Sequence, residues 1–338
     1  MSTPVTLKSL AQELGLSIAT VSRALQDSHE VSGQTKDRVR ALAAALNYQP
    51  NAYASSLRRN ISKTIGVVIP EVNNHFFSLA INGIEEVARQ NDYHVLIYLT
   101  HDDYEREVAI AQYLTGGRID GLLMSVASGT QDFAHLQKLK DNGLPMVFFD
   151  RVCQDVATAK VTTNDYESGY RATEHLLEAG CRHVAYLLVS GNLSIGRSRM
   201  QGYAAALQAH GLPYDEDLVL SAGNDHERNA VLIQELLERR PEIDGIFASV
   251  EQLAIGSYHA CQRLGRRIPE QVKIIGFSNL EIASLLNPAL TTITQPAYDI
   301  GRQAAAILLR AVTRKKPVLP GQSLVLESEL FARASTGG

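Results

Sequence analysis

Leu7, Leu10, Ala11 and Leu14 recur at the i, i+3, i+4, i+7 spacing of a short amphipathic helix, and Gly15 supplies its stop. Ser17 can cap a second helix that starts at Ile18, and Ser32 a third whose apolar positions are Val39, Leu42 and Leu46. The pattern predicts three short helices joined by tight turns. From Thr64 the pattern changes. Apolar runs of strand length (Ile65–Pro70, His94–Thr100, Gly121–Val126, Met146–Asp150, Val184–Val189, Ile246–Val250 and Lys273–Phe277) alternate with amphipathic stretches such as Phe77–Gln90, Arg106–Thr115, Ser168–Ala179, Gln201–His210, Ala230–Arg239 and Ala254–Leu264. Such alternation predicts α/β architecture, with doubly wound parallel sheets covered on both faces, and the length allows two such units.

On a wheel for the second helix, Val21 and Leu25 mark the buried side, which puts Arg23 almost opposite with Ala19 and Thr20 flanking it. An outward arginine among small neighbours can enter a major groove and donate two hydrogen bonds to guanine O6 and N7, worth about 1–3 kcal/mol of discrimination. The wheel alone also allows an ordinary solvated face. Ile18 is ambiguous in the same way: it lies near the core side, yet at the helix start it could meet a thymine methyl.

A chain of 338 residues implies two or three domains. Its 45% hydrophobic and 20% charged residues exclude disordered and collagen-like classes. Cys153, Cys181 and Cys261 are odd in number and far apart, which fits neither a disulfide framework nor a zinc site, and a reducing cytoplasm is expected. Neither an export signal nor an apolar run long enough to span a membrane is seen. The net charge of −4 divides unevenly, because residues 1–60 carry seven Lys/Arg against four acids, leaving −7 on the remainder. A basic head on an acidic body points to phosphate contact through the head alone.

No Gly-x-Gly-x-x-Gly follows an expected strand, and no Walker loop, Gly-x-Ser-x-Gly elbow, His-Glu-x-x-His or other metal-ligand spacing occurs. An enzyme is not expected, nor a metal or cofactor. A free-standing solute receptor would share the core but would need export and has no use for residues 1–60. A sugar-modifying or nicotinamide-dependent enzyme would need a constellation that this sequence lacks.

The run Val5-Thr6-Leu7 through Ala11, then Gly15-Leu16-Ser17-Ile18-Ala19-Thr20-Val21-Ser22-Arg23, Val31-Ser32 and Leu46-Asn47-Tyr48-Gln49-Pro50-Asn51 resembles the DNA-binding head of the lactose/galactose repressor family. The resemblance implies a helix-turn-helix whose second helix reads bases through Ile18, Ala19 and Arg23, with Thr6, Ser17, Thr20 and Ser22 also at the DNA. Pro50 disfavours helix at Gln49, and Asn51 can cap a segment only about two turns long, too short to hold a helix by itself. In the family such a hinge folds on DNA beside its twin. Leu57 would then be the wedge entering the minor groove, with Asn51, Tyr53, Ala54, Arg58 and Arg59 also in contact.

The resemblance continues through Gly66-Val67-Val68-Ile69-Pro70, Asn74-His75-Phe76-Phe77, Gly83-Ile84-Glu85, Asp120-Gly121-Leu122, Arg199-Met200-Gln201-Gly202-Tyr203 and Pro288-Ala289-Leu290-Thr291-Thr292-Ile293. It implies a two-lobed core like a periplasmic sugar-binding protein. Three crossovers are expected near Thr163, Thr292 and Leu326, giving a head at 1–50, a hinge at 51–60, an N-lobe at about 61–162 and 293–325, and a C-lobe at about 163–292 and 326–338. Ligands of open α/β sheets lie beyond the carboxyl ends of strands. The pocket carried over by position holds Asn74, Phe76, Phe77, Asp150, Arg199, Val250, Glu251 and Ser278, with Arg199 as a charged clamp.

Some positions depart from the family's pattern. His75 stands where Pro is frequent, Thr163-Asn164 where Asp-Asn is common, Val250-Glu251 where Asn-Asp is common, and Ser278 where a carboxylate is usual. A serine makes a shorter, uncharged contact than a carboxylate. A sugar derivative, sugar acid or other polar metabolite is therefore expected as effector over a plain hexose. The expected partners are a palindromic double-stranded operator, the effector and a second copy of the chain. A homodimer without a C-terminal tetramer bundle is expected, because no apolar heptads follow Leu330-Phe331-Ala332-Arg333-Ala334-Ser335.

Overall fold

A computed structural model describes residues 5–48, 61–223 and 225–338, in two compact units that divide between Ser62 and Lys63. Leu57 and the other expected hinge contacts, Asn51, Tyr53, Ala54, Arg58 and Arg59, lie outside the described residues.

The first unit contains helices α1 (Leu7–Leu14), α2 (Ile18–Leu25) and α3 (Gly33–Ala45). Each start has a side-chain cap: Thr6 accepts from the Ser9 amide in a reciprocal capping box, Ser17 from Thr20 and Ser32 from Thr35. Gly15 ends α1 in the left-handed conformation, φ 65°, that a side chain would strain. Leu10, Val21, Ala24 and Val39 are fully buried between the helices. Leu25 and Leu42, read as core-facing positions, are only half-buried, whereas Ala24 and Ala43 are buried. The turn from α2 to α3 is clamped by Asp27, whose carboxylate meets Lys36 Nζ at 3.0 Å and Arg40 Nη2 at 2.8 Å. Its hydrogen bond from Lys36, then the two cations' charges, hold its pKa below the usual aspartate value.

The second unit contains two six-stranded sheets. In the first lobe, β1 (Thr64–Ile69), β2 (His94–Leu99), β3 (Gly121–Met124), β4 (Met146–Phe149), β5 (Ala159–Thr163) and β11 (Leu324–Leu326) lie in the order β11-β5-β4-β3-β1-β2, all parallel. Its helices are α4 (His75–Gln90), α5 (Tyr104–Leu114), α6 (Ala134–Asp141) and α11 (Ala297–Arg314). In the second lobe, β6 (Val184–Leu188), β7 (Val219–Ser221), β8 (Gly245–Ala248), β9 (Lys273–Phe277), β10 (Thr291–Thr294) and β12 (Glu329–Phe331) lie in the order β12-β10-β9-β8-β6-β7, with β12 antiparallel to β10. Its helices are α7 (Asp165–Glu178), α8 (Ser194–Ala209), α9 (His226–Arg239) and α10 (Glu251–Leu264).

The central strands are covered on both faces, which is why they read as continuous apolar runs. Ile65, Val67 and Ile69 pack with α4 and α11, while Val68, Leu122, Met124 and Phe148 face the side of α5 and α6. The same alternation sends Leu187, Ile246 and Ile274 toward α9 and α10, and Tyr186, Phe247 and Ile275 toward α7 and α8. Within each lobe two helices cross at glycine. A Cβ on Gly83 would strike the carbonyl oxygen of Tyr298, and one on Gly169 that of Arg199.

The chain passes between lobes after Thr163, at Gln295-Pro296, and between Leu326 and Glu329. The second passage falls beyond the expected Thr292, because Thr291–Thr294 is itself a strand of the second sheet. Asn164 ties the first passage to the third: its amide donates to Leu326 O and its side chain accepts from Ser328 N at 2.9 Å. Strand ends expected at Pro70, Thr100, Val126, Asp150, Val189 and Val250 all lie in loops, and β5, β7, β10, β11 and β12 had no expected counterpart.

Candidate functional site

The loops at the carboxyl ends of the strands meet between the two lobes in a narrow cleft. All eight residues expected to contact an effector line it. Asn74, Phe76 and Phe77 come from the start of α4, Asp150 follows β4, Arg199 lies in α8, Val250 and Glu251 open α10, and Ser278 follows β9. The structure adds Arg151, Ile195, Phe277, Asn279 and Gln295. Asn74 also caps α4, its side chain accepting from the Phe76 amide at 2.9 Å, which fixes the two phenylalanines at the mouth. Their rings meet edge to face at 5.3 Å.

Arg199 is the largest side chain in the molecule's fully buried set, at 2% exposure. Its Nε donates to Asp165 Oδ1 at 2.7 Å, its Nη1 donates to the Ser249 carbonyl at 2.5 Å, and its guanidinium lies 3.5 Å from the centre of the Phe277 ring. Nη2 is buried without a hydrogen-bond partner. Arg199 lines the cleft, and an unmet buried donor costs about 1–3 kcal/mol or more when charged, so a ligand acceptor that reached Nη2 would be favoured. Burial raises the Asp165 pKa, and Arg199 pulls it back.

Arg151, from the same loop as Asp150, is the second guanidinium in the cleft. Its Nη1 donates to Asp102 Oδ1 at 2.8 Å, and its Nε is buried without a partner. Asp150 holds the left-handed conformation, φ 58°, and is 6% exposed. Burial pushes its carboxyl above the usual range, against the pull of Arg151 and Arg199. Gln295, on the second interlobe passage, donates to Thr163 Oγ1 at 3.2 Å and reaches toward Asp150 at 3.5 Å.

The position without its usual carboxylate is served from next door. Ser278 Oγ donates to Glu251 Oε2 at 3.1 Å, and Glu251 Oε1 lies 3.4 Å from His75 Nδ1 of the opposite lobe. Two positions that depart from the family's pattern therefore act on a third. The cleft is thus lined by two guanidinium side chains that each bury one unpartnered nitrogen, two carboxylates and aromatic side chains, an arrangement that suits vicinal hydroxyls.

The two cations of the cleft are balanced by carboxylates. Asp165 and Asp102 pair with them, and Asp150 and Glu251 face the same space. Arg151 and Gln295 escaped the sequence reading, although Arg151 directly follows Asp150 and Gln295 lies two residues beyond the run Pro288–Ile293. Adjacency to positions already chosen was the available signal. Among the described residues, no group of three or more His, Cys, Asp or Glu is placed to hold a metal, and no helix is long and apolar enough to cross a membrane.

In the first unit, Ile18, Ala19 and Arg23 lie together on the exposed side of α2. Thr6 and Ser17 are exposed caps, Ser17 Oγ hydrogen-bonds Thr20 Oγ1 at 2.8 Å, and Ser22 is half-buried. This leaves the outer side of α2 free of the core.

Residues 6–51 match the family described as bacterial regulatory proteins, lacI family, and residues 62–320 match the periplasmic binding proteins and sugar binding domain of the LacI family. The ribose operon repressor of Haemophilus influenzae is 32% identical over 98% of both chains. A transcriptional regulator CelR–cellobiose complex superposes with a TM-score of 0.75 at 27% identity, covering 98% of this chain and 99% of the other. The lac repressor dimer bound to operator gives a TM-score of 0.84 with 99% of each chain covered, and at 22% identity this shows the shared fold. From its capped helical head to its two-lobed core, the chain belongs to the LacI family of bacterial transcriptional regulators.

Proposed function

We propose that the protein is a repressor, without enzymatic activity, that holds a palindromic operator as a homodimer and changes its grip when a neutral sugar or sugar derivative enters the cleft. The unpartnered Nη2 of Arg199 carries this reading, because it is a buried donor on a side chain that lines the cleft. Pairing of both guanidinium groups with buried carboxylates supports a neutral polyhydroxylated effector over a sugar acid. The CelR relative, solved with cellobiose, supports the same class. At the DNA, Ile18, Ala19 and Arg23 would meet base edges, Thr6, Ser17, Thr20 and Ser22 the backbone, and the hinge around Leu57 the minor groove.

A ligand can alter operator affinity only by preferring one lobe arrangement, and the coupling acts equally in both directions. Selection from a random duplex library followed by anisotropy titration in the presence of mono- and disaccharides and sugar acids tests the whole reading. A palindromic consensus and an affinity shift with a neutral sugar are expected. An asymmetric short consensus would overturn the dimer, and a shift confined to sugar acids would overturn the effector class.

A further inference from the structure

We propose that Glu30 is a specificity-determining residue of the DNA-reading head, acting through Arg23; this rests on the proposed reading of Arg23 as a base contact. Arg23 Nη1 and Glu30 Oε2 lie 3.1 Å apart, with both side chains about half exposed, at 56% and 52%. The pair sits on the open side of α2, beside Ile18 and Ala19.

Glu30 is held in place. The Ser28 amide donates to Arg23 O at 3.0 Å, the Glu30 amide to Ser28 Oγ at 3.3 Å, and the Val31 amide to Ser28 O at 3.3 Å. Val31 is buried, and Asp27 is clamped by Lys36 and Arg40. The carboxylate is thus presented from a fixed turn.

Two consequences follow from the charge and the geometry. As an ion-pair partner of Nη1, Glu30 biases where the guanidinium lies and leaves donors on its other edges for the paired acceptors of guanine. By placing a negative charge among groups that approach phosphates, it weakens binding to every sequence alike. Orientation favours the cognate base and so widens the ratio between specific and non-specific binding, while the uniform repulsion lowers both alike.

The test uses the full-length chain in four forms: wild type, Arg23→Ala, Glu30→Gln and Glu30→Ala. Each is put through selection from a random duplex library, then anisotropy titration at fixed salt on the selected duplex, its single-base variants and random DNA. Thermal melts confirm that the exposed substitutions leave the head folded. Both Glu30 variants should bind random DNA about two- to fivefold more tightly and lose a similar factor of discrimination at the one symmetric base pair that Arg23→Ala flattens. Combining Glu30→Gln with Arg23→Ala should lose no further discrimination there. Unchanged or sharpened preference at that base pair in Glu30→Gln, with Arg23→Ala flattening it, would overturn the role of Glu30 and leave Arg23 as reader. Full preference retained in Arg23→Ala would instead remove Arg23 from the bases, and the proposal with it.

Discussion

His75 Nδ1 and Glu251 Oε1 lie 3.4 Å apart across the cleft, joining the first residue of α4 in one lobe to the first residue of α10 in the other. His75 is partly solvated, which limits such a pair to about 0.2–1 kcal/mol. His75→Pro is compatible with the first position of a helix and should leave the fold intact. It should shift the closed-to-open ratio of the lobes toward open by up to about fivefold. Spin-label distances between the lobes measure this, and an unchanged distribution would show that the contact does not hold them.

The Arg199–Asp165 pair bears on stability as well as on the cleft. Removing one partner of a buried pair leaves an uncompensated charge, so Arg199→Ala should lose about 3–5 kcal/mol in urea denaturation. Replacing both partners by apolar residues, Arg199→Met with Asp165→Leu, should recover part of that loss. If the single and double variants unfold together, burial of the lone carboxylate is not what the single variant suffers.

Asp150 gives a pH dependence of definite sign. Its folded-state pKa is raised above 3.8, chiefly by burial. Its ionisation is therefore easier in the unfolded chain, and stability falls as pH climbs from about 3.8 through the raised value, then levels. Asp150→Asn should melt higher than wild type at neutral pH, with the gap closing as the medium is acidified toward 3.8. Asparagine tolerates the left-handed backbone there, so the comparison is free of added strain. A gap that is constant with pH would contradict the assignment.

Gly169 lies against the backbone of Arg199, where α7 crosses α8. Gly169→Ala forces the two helices apart and should cost about 1–3 kcal/mol by overpacking. The displacement moves Arg199, so it should also weaken the shift in operator affinity produced by whichever sugar gives one in wild type. Wild-type melting and an intact sugar response would show that the crossing can relax.

The layered architecture was legible because buried strands and amphipathic helices repeat along the chain, and all eight expected cleft residues do meet at one place. Three late helix starts share a cause. Helices were expected to begin at Phe77, Gln201 and Ala254, yet they begin at His75, Ser194 and Glu251. Those first turns carry polar and aromatic groups toward a cleft, so they lack the periodic apolar stripe that marks a helix packed on a sheet. Strands β11 and β12 were invisible for a different reason: each is three residues long and sits at a sheet edge, with Val325 and Phe331 largely exposed. The Arg23–Glu30 contact joins two surface residues whose meeting depends on the course of a turn, which residue type alone does not specify.

The interleaving of the two sheets has a consequence for how the protein is made. Neither lobe is a contiguous stretch of chain: β11 at residues 324–326 completes the first sheet beside β5, and β12 at residues 329–331 completes the second beside β10. Ser335 then donates to Ile274 O and accepts from the Thr291 amide, closing the second lobe's far side. During synthesis both edges stay unpaired until almost the whole polypeptide has emerged from the ribosome. The head, whose helices bury their core among residues 5–48, can fold long before that, so a nascent chain carries a finished DNA-reading module ahead of a sensor that is still incomplete.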